Sequence, residues 1–289
     1  MSTPVKTHLG RTARVATLLL VAAAFGYPLL AFVGVAFGES DGSAGLTPGD
    51  ASASWSSVLA FNNGVFLSWM ANSMIVASGG ALLAVLVGLP TGYAIARLRF
   101  PGRRWLRFLT LLTTVVPNTV LVIPLYLEVS AVAAVNNVWV VTVLMGFFPF
   151  GVYLAYIHFT TTLPVQMVEA ARIDGLSEIQ IFSKIAMPLS KQAVALVGFF
   201  SFVANWTNFF LPLVLLPLSS NTTVSVGLQQ LISSSPLFDP TTAAGLDVRL
   251  YTPQLALATL VTIVPVLLVF VVAQRYLMRG QTLGGPGYS

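Results

Sequence analysis

At 289 residues the chain is long enough for one or two soluble domains, yet 56% of it is hydrophobic and only 8% is charged, against about 25% charged in ordinary soluble domains. It has no cysteine, which excludes a disulfide framework, a thiolate metal site and a cysteine nucleophile. The formal net charge of +5 would suit nucleic acid only if the basic residues formed one patch, and instead they fall between apolar runs that read as membrane spans.

Taken in chain order, a basic tail (residues 1–14, with Lys6, Arg11 and Arg14) leads into a first span at 15–37. Its apolar run exceeds the roughly 7–15 residues of a signal-peptide core, so it reads as a retained helix. Residues 38–70 read as an external loop. A core of five further spans follows over 71–277, at 71–96, 108–127, 138–160, 193–216 and 255–277, and a tail at 278–289 closes the chain. Each span is near the roughly 20 residues that cross about 30 Å of hydrocarbon. The expected fold is therefore all-α, a polytopic membrane protein with six transmembrane helices.

Charge sets the orientation. Arg97, Arg99, Arg103, Arg104 and Arg107 separate the second and third spans; Arg172, Lys184 and Lys191 lie between the fourth and fifth; Arg275 and Arg279 follow the sixth. With six spans these all face the side of the basic tail, and of the fourteen basic residues only Arg249 falls opposite. Lys/Arg bias of this kind assigns both termini to the cytoplasm. Glu39, Asp41, Asp50, Glu128, Asp239 and Asp247 take the other side. Nucleic acid is thereby excluded as a partner, and membrane lipid is expected.

Inside the spans the chemistry is sparse. No Asp, Glu, Lys or Arg lies near a helix centre, which counts against a secondary carrier, although one using backbone-coordinated sodium stays open as an alternative. His8 and His158 lack partner motifs, and no phosphate-binding Gly-Lys loop, nucleophile elbow or metal-ligand spacing occurs. Gly80, Ala84, Gly88 and Gly92 form a small-residue ridge suited to close helix packing. Pro90, Pro149, Pro212 and Pro265, in or at the ends of spans, release backbone groups that neighbouring protein or a cavity must satisfy. The fifth span carries Asn205, Trp206, Thr207, Asn208 and Phe209 near its centre. Two readings stay open for them: a pathway lining whose amides meet hydroxyls and whose aromatic face stacks on a sugar ring, or interhelical hydrogen bonding. Asn72, Asn118 and Gln254 invite the same two readings, with hydrogen bonding between helices favoured.

Between the fourth and fifth spans, segment 163–190 holds three of the nine acidic residues, Glu169, Asp174 and Glu178. Thr162 and Pro164 suit a helix start. Asp174 and Gly175 suit its end, with Gly175 left-handed. Ser177 to Gln180 has the form of a capping box that restarts a helix. The apolar repeat Ile179, Phe182, Ile185, Leu189 then gives one greasy face, and Pro188 closes the segment.

The array Glu169, Ala170, Ala171, Asp174, Gly175, Phe182, Ile185 and Pro188 resembles the cytoplasmic coupling segment of permease subunits in binding-protein-dependent ABC importers. Leu176 stands where alanine is more usual, and Gln192 where a proline often follows. Looser matches around Asn72, Tyr93 to Phe100, Asn205 to Leu213 and Gln274 to Gly280 resemble the MalG-like carbohydrate branch. The resemblance implies half of a translocation pathway for a sugar or sugar-like solute, with amino acids, polyamines or phosphate compounds as alternative cargo. It implies a second permease subunit, a hetero-dimer being expected; two ATPase subunits or domains, which bind the ATP and Mg; and an extracytoplasmic solute-binding protein. This chain would bind no cofactor or metal and catalyse nothing itself. Glu169 would meet a basic group of the ATPase, the stripe around Phe182 would supply affinity, and Asn205, Trp206, Asn208 and Phe209 would line the pathway.

Overall fold

The computed structural model describes residues 5–37, 51–235 and 250–277, and among them every regular element is a helix. The tail 278–289 and the expected outer-loop charges Glu39, Asp41, Asp50, Asp239, Asp247 and Arg249 lie outside the described residues. The chain divides into two compact units, residues 1–64 with 230–261 and residues 65–229 with 262–289.

The first unit contains α1 (Val5–Ala36), which continues through Pro28 and exposes most of its apolar side chains from Val15 onward. An apolar helix exposed along most of its length is what a lipid-facing span requires. Within 38–70, the expected loop holds a helix, α2 (Ala51–Ala60), and then a tight turn at Phe61–Gly64. Asn62 and Asn63 adopt left-handed φ of 45° and 59°, a conformation that asparagine tolerates better than most residues. Phe32, Ala36, Trp55, Ala256, Leu257 and Leu260 pack together in this unit.

In the second unit, α3 (Val65–Arg97) starts six residues before the expected 71 and continues through Pro90. The next three apolar runs are interrupted, each beside a proline. Pro117 forces Val116 extended (φ −67°, ψ 123°), so α4 (Arg103–Val115) stops there, as clash with the proline ring demands of the preceding residue. After a 3-10 turn at Asn118–Leu121, α5 (Val122–Ala131) leaves at 96° to α4. The expected span 138–160 is α6 (Val138–Met145) and α7 (Pro149–Thr161), with Pro149 at the first helical position and Phe148 non-helical. Segment 163–190 follows as α8 (Val165–Ile173) and α9 (Glu178–Leu189). The fifth span is α10 (Lys191–Trp206), a break at 207–209 and α11 (Phe210–Leu215), since Pro212 cannot donate to the carbonyl four residues back. After α12 (Val224–Ser233), α13 (Thr252–Leu277) completes the described chain. Among the described residues, four helices are long and apolar enough to cross a membrane, or up to six if each bent pair is one span.

The small-residue ridge of α3 does pack. A Cβ on Gly92 would lie 2.8 Å from the Tyr156 backbone nitrogen of α7, and one on Gly80 would overlap the Asn205 amide of α10. At such positions only hydrogen lets the helices approach this closely. Around the lower part of this ridge Leu89, Tyr93, Phe159, Leu163, Val168, Ala171 and Ile181 form one buried cluster. It ties α3 and α7 to segment 163–190.

Candidate functional site

Segment 163–190 is built by its caps. At the end of α8 the Leu176 N–H donates to the Ala171 carbonyl (3.1 Å) and the Gly175 N–H to that of Arg172 (3.1 Å), with Gly175 at φ +82°. This is the paired bonding of a Schellman motif. Two residues on, Ser177 accepts from the Gln180 N–H (3.3 Å) while the Gln180 side chain accepts from the Ser177 N–H (3.0 Å), the reciprocal capping box expected from the sequence. The start of α8 differs from expectation. Pro164 occupies the cap position and Thr162 caps nothing, because the restrained proline already presents the extended backbone a helix entry needs.

Charged groups brace the turn. The Arg172 Nε donates to Glu178 Oε1 at 2.7 Å, which raises the guanidinium pKa above its already high value. Arg172 is therefore a cation at every working pH. Its Nη2 also donates to the Arg97 carbonyl (3.3 Å), and the Tyr93 hydroxyl donates to Glu178 Oε2 (3.4 Å). Arg97 donates to the carbonyls of Phe159 (2.6 Å) and Leu163 at the end of α7. The sequence registered Arg97 and Arg172 only as topological charge, and nothing in their spacing announced these partners.

The residues of the motif divide sharply. Glu169, Ala170, Asp174, Gly175 and Pro188 are exposed, whereas Ala171 is buried and Ile185 half-buried. The apolar stripe around Phe182 divides: Ile179 and Leu189 are exposed, whereas Phe182 and Ile185 are half-buried. The Phe182 ring packs 5.2 Å from that of Tyr93 and 6.4 Å from that of Phe159, inside the bundle. Phe182 turns toward the chain's own core beside Ile181 and Ala186, which are fully buried. The most exposed apolar side chains of the segment are Ile173 and Ile179, 87% and 79% exposed and flanking Gly175, with Val165, Met167 and Leu189 less exposed. The segment also widens: Met187 N–H bonds Phe182 O, five residues back, in a π turn at Phe182–Ala186. Such a turn makes room for Pro188, whose ring would clash with the carbonyl four residues earlier. A 79° bend then leads into α10.

A second site lies where the three proline breaks converge. A cavity of about 320 Å³ takes Asn118 and Thr119 from the first break, Phe147 and Phe148 from the second, and Thr207, Asn208 and Phe209 from the third, with Asn205 beside them. No charged residue lines it. Irregular backbone at membrane depth is tolerated where it lines a cavity or is buried in protein. Asn208 Oδ1 accepts from the Leu211 N–H (3.3 Å), which orients its amide. Asn205 reaches Ser201 Oγ at 3.4 Å and borders Gly80. Trp206 is separate from the cavity. Its indole is buried on Phe202 and donates to the Thr262 carbonyl of α13 at 3.1 Å. Asn72 donates to the carbonyls of Ser220 and Thr222, tying α3 to a distant turn, the Gln254 side chain accepts from the nearby Tyr251 N–H, and Asn118 lines the cavity.

An all-helical set of apolar spans, with a capped helix pair on one inter-span loop and a charge-free cavity at converging helix breaks, is the architecture of a polytopic membrane protein. Residues 84–282 match the family described as binding-protein-dependent transport system inner membrane component. The match spans more than half of the chain, which therefore belongs to that family, and it is a non-catalytic membrane subunit of an ABC importer. Among similar proteins, the arabinooligosaccharides transport system permease protein AraQ of Halalkalibacterium halodurans is 30% identical over 222 residues, 77% of this chain and 75% of that one. The maltodextrin transport system permease protein MdxG of Bacillus subtilis is 29% identical over 227 residues, covering 78% and 77%. The galactooligosaccharides transport system permease protein GanQ of Bacillus subtilis is 31% identical over 225 residues, covering 76% and 74%. A chain from the crystal structure of a bacterial ABC transporter involved in import of the acidic polysaccharide alginate superposes with a TM-score of 0.76 at 20% identity. The superposition covers 96% of this chain and 99% of that one, a likeness of fold.

Proposed function

We propose that this chain forms half of the translocation pathway of an importer for a neutral oligosaccharide or similar polyhydroxylated solute, and that segment 163–190 docks on a separate ATPase from the cytoplasmic side. The observation that carries the docking reading is the capped turn at Gly175, which holds two almost fully exposed isoleucines, Ile173 and Ile179, beside Glu169 and Asp174. Apolar side chains flanked by acids suit a protein groove with a basic rim. Glu169 tunes the fit, an exposed ion pair being worth about 0–1 kcal/mol, and Ile173 and Ile179 supply the affinity. The buried cluster under Phe182 then carries the movement of the docked turn into α3 and α7. Two ATPase subunits or domains bind the ATP and Mg, and a second permease chain, in a hetero-dimer, supplies the other half of the pathway. A solute-binding protein delivers cargo to the face opposite the arginine-rich loops. Alternating access is a population shift driven by the different nucleotide affinities of the two states. The solute class is supported by the amide-lined, charge-free cavity and by the oligosaccharide names of the relatives.

Gly175→Val tests the docking reading. A side chain on a left-handed backbone costs roughly 1–2 kcal/mol, and here nothing lies within 4 Å of an added Cβ, so the cost is conformational alone. The complex should reach the membrane with normal yield, while ATP hydrolysis ceases to track uptake. Normal uptake with normally stimulated hydrolysis would sink the proposal.

A further inference from the structure

Residues 97–107 contain five arginines and no acidic residue. Arg97 serves the end of α7. Arg103 donates to the carbonyls of Ile95 (2.6 Å) and Ala96 (3.0 Å), and Arg107 donates to the Tyr156 hydroxyl (3.2 Å) and lies over its ring. Those partners satisfy hydrogen bonds but cancel no charge, and none of the five is in an ion pair among the described residues. Arg99 and Arg104 line a cavity of about 450 Å³ with Phe100, Gly102, Arg103 and Trp105. A second, of about 380 Å³, shares Arg104 and Trp105 and adds Phe108. Trp105 is 69% exposed and Phe108 51%, their rings edge to face at 5.9 Å. Leu109 and Leu112 continue this exposed apolar face one turn along α4, which buries no residue at all.

Orientation in the membrane accounts for positive charge on this loop. It does not account for arginines gathered at one turn against an exposed tryptophan and phenylalanine. We propose that the α3–α4 turn is a binding site for an anionic phospholipid, its phosphate on Arg99 and Arg104 and its acyl region along Trp105, Phe108 and Leu112. Guanidinium groups pair with phosphate oxygens in a fork geometry, and tryptophan favours the headgroup level, where one side is apolar and the other wet. A protein partner would need acidic groups opposite the arginines and apolar ones opposite the rings, whereas one phospholipid brings both in this order.

The purified importer complex provides the test. Native mass spectrometry should find phosphatidylglycerol retained in preference to phosphatidylcholine, and the double variant R99Q/R104Q should weaken that retention roughly tenfold or more. The pair R14Q/R275Q, which removes equal charge elsewhere, should retain lipid as the wild type does. Equal retention in R99Q/R104Q overturns the proposal, as does equal loss in the control pair. Separation of the two permease chains with lipid retention unchanged would assign this face to the paired chain instead. Should R99Q/R104Q not assemble, the unmutated complex still decides: in nanodiscs, brominated phosphatidylglycerol should quench tryptophan fluorescence more than brominated phosphatidylcholine. Trp105→Phe should remove that difference, and its survival overturns the assignment.

Discussion

Arg97 occupies the last turn of α3, and its guanidinium serves the carbonyls of Phe159 and Leu163 where α7 ends. Carbonyls at a helix C-terminus lack intrahelical partners and carry partial negative charge, so a cation there both satisfies and stabilises them. Hydrogen bonds to a charged group contribute about 1.5–3 kcal/mol each. Arg97→Gln, too short and neutral, should therefore lower the thermal unfolding midpoint of the detergent-solubilised complex, with Arg97→Lys recovering part of the loss. An unchanged midpoint would mean that water serves those carbonyls equally well. The Arg172–Glu178 pair offers the contrast. Its side chains are 39% and 42% exposed, and exposed pairs are worth about 0–1 kcal/mol. A double-mutant cycle on Arg172 and Glu178 should give a coupling no larger than that. Its role is to hold the turn at Gly175 in shape, not to supply stability.

Among the elements, α3 and α7 depend on glycine for their approach. A Cβ on Gly92 would meet backbone, the Tyr156 nitrogen at 2.8 Å, which cannot swing aside as a side chain could. Overpacking of this kind costs about 1–3 kcal/mol. Gly92→Leu should thus reduce the assembled fraction seen by size exclusion, while Gly26→Leu, on α1 with nothing within 4 Å of its added Cβ, should not. That ridge was legible in sequence because small residues four apart have one geometric meaning on a helix. The caps around Gly175 were legible for the same reason: left-handed glycine and the Ser-x-x-Gln box are local chemistry. What the stripe of Phe182 faces was not. An apolar helix face looks alike in sequence whether it meets a partner or its own core, and here long-range packing on Tyr93 and Phe159 draws Phe182 inward while Ile179 and Leu189 stay exposed. The breaks at Pro117, Pro149 and Pro212 were visible singly as prolines. Their convergence on one cavity depends on how three spans pack, which no local signal encodes.

For the whole molecule, the proposed pathway divides the fifth-span residues into cavity-lining Asn208 and buried Trp206, and the two positions should give opposite results on substitution. Asn208 lines the cavity with its amide oriented by the Leu211 N–H. Removing one hydrogen bond to a passing hydroxyl loses about 0.5–1.5 kcal/mol, so Asn208→Ala should lower uptake about two- to tenfold at unchanged assembly. Solute affinity of the isolated binding protein, measured by calorimetry, stays the same because that protein selects before this chain is met. Trp206 is 4% exposed, stacks on Phe202 and donates to the Thr262 carbonyl. Truncating a buried tryptophan costs about 3–5 kcal/mol, so Trp206→Ala should deplete the complex from the membrane, and uptake per assembled complex should hardly change. If Asn208→Ala depletes the complex and Trp206→Ala spares it, the amide is scaffold, the indole is pathway, and the cavity at the three breaks carries no solute.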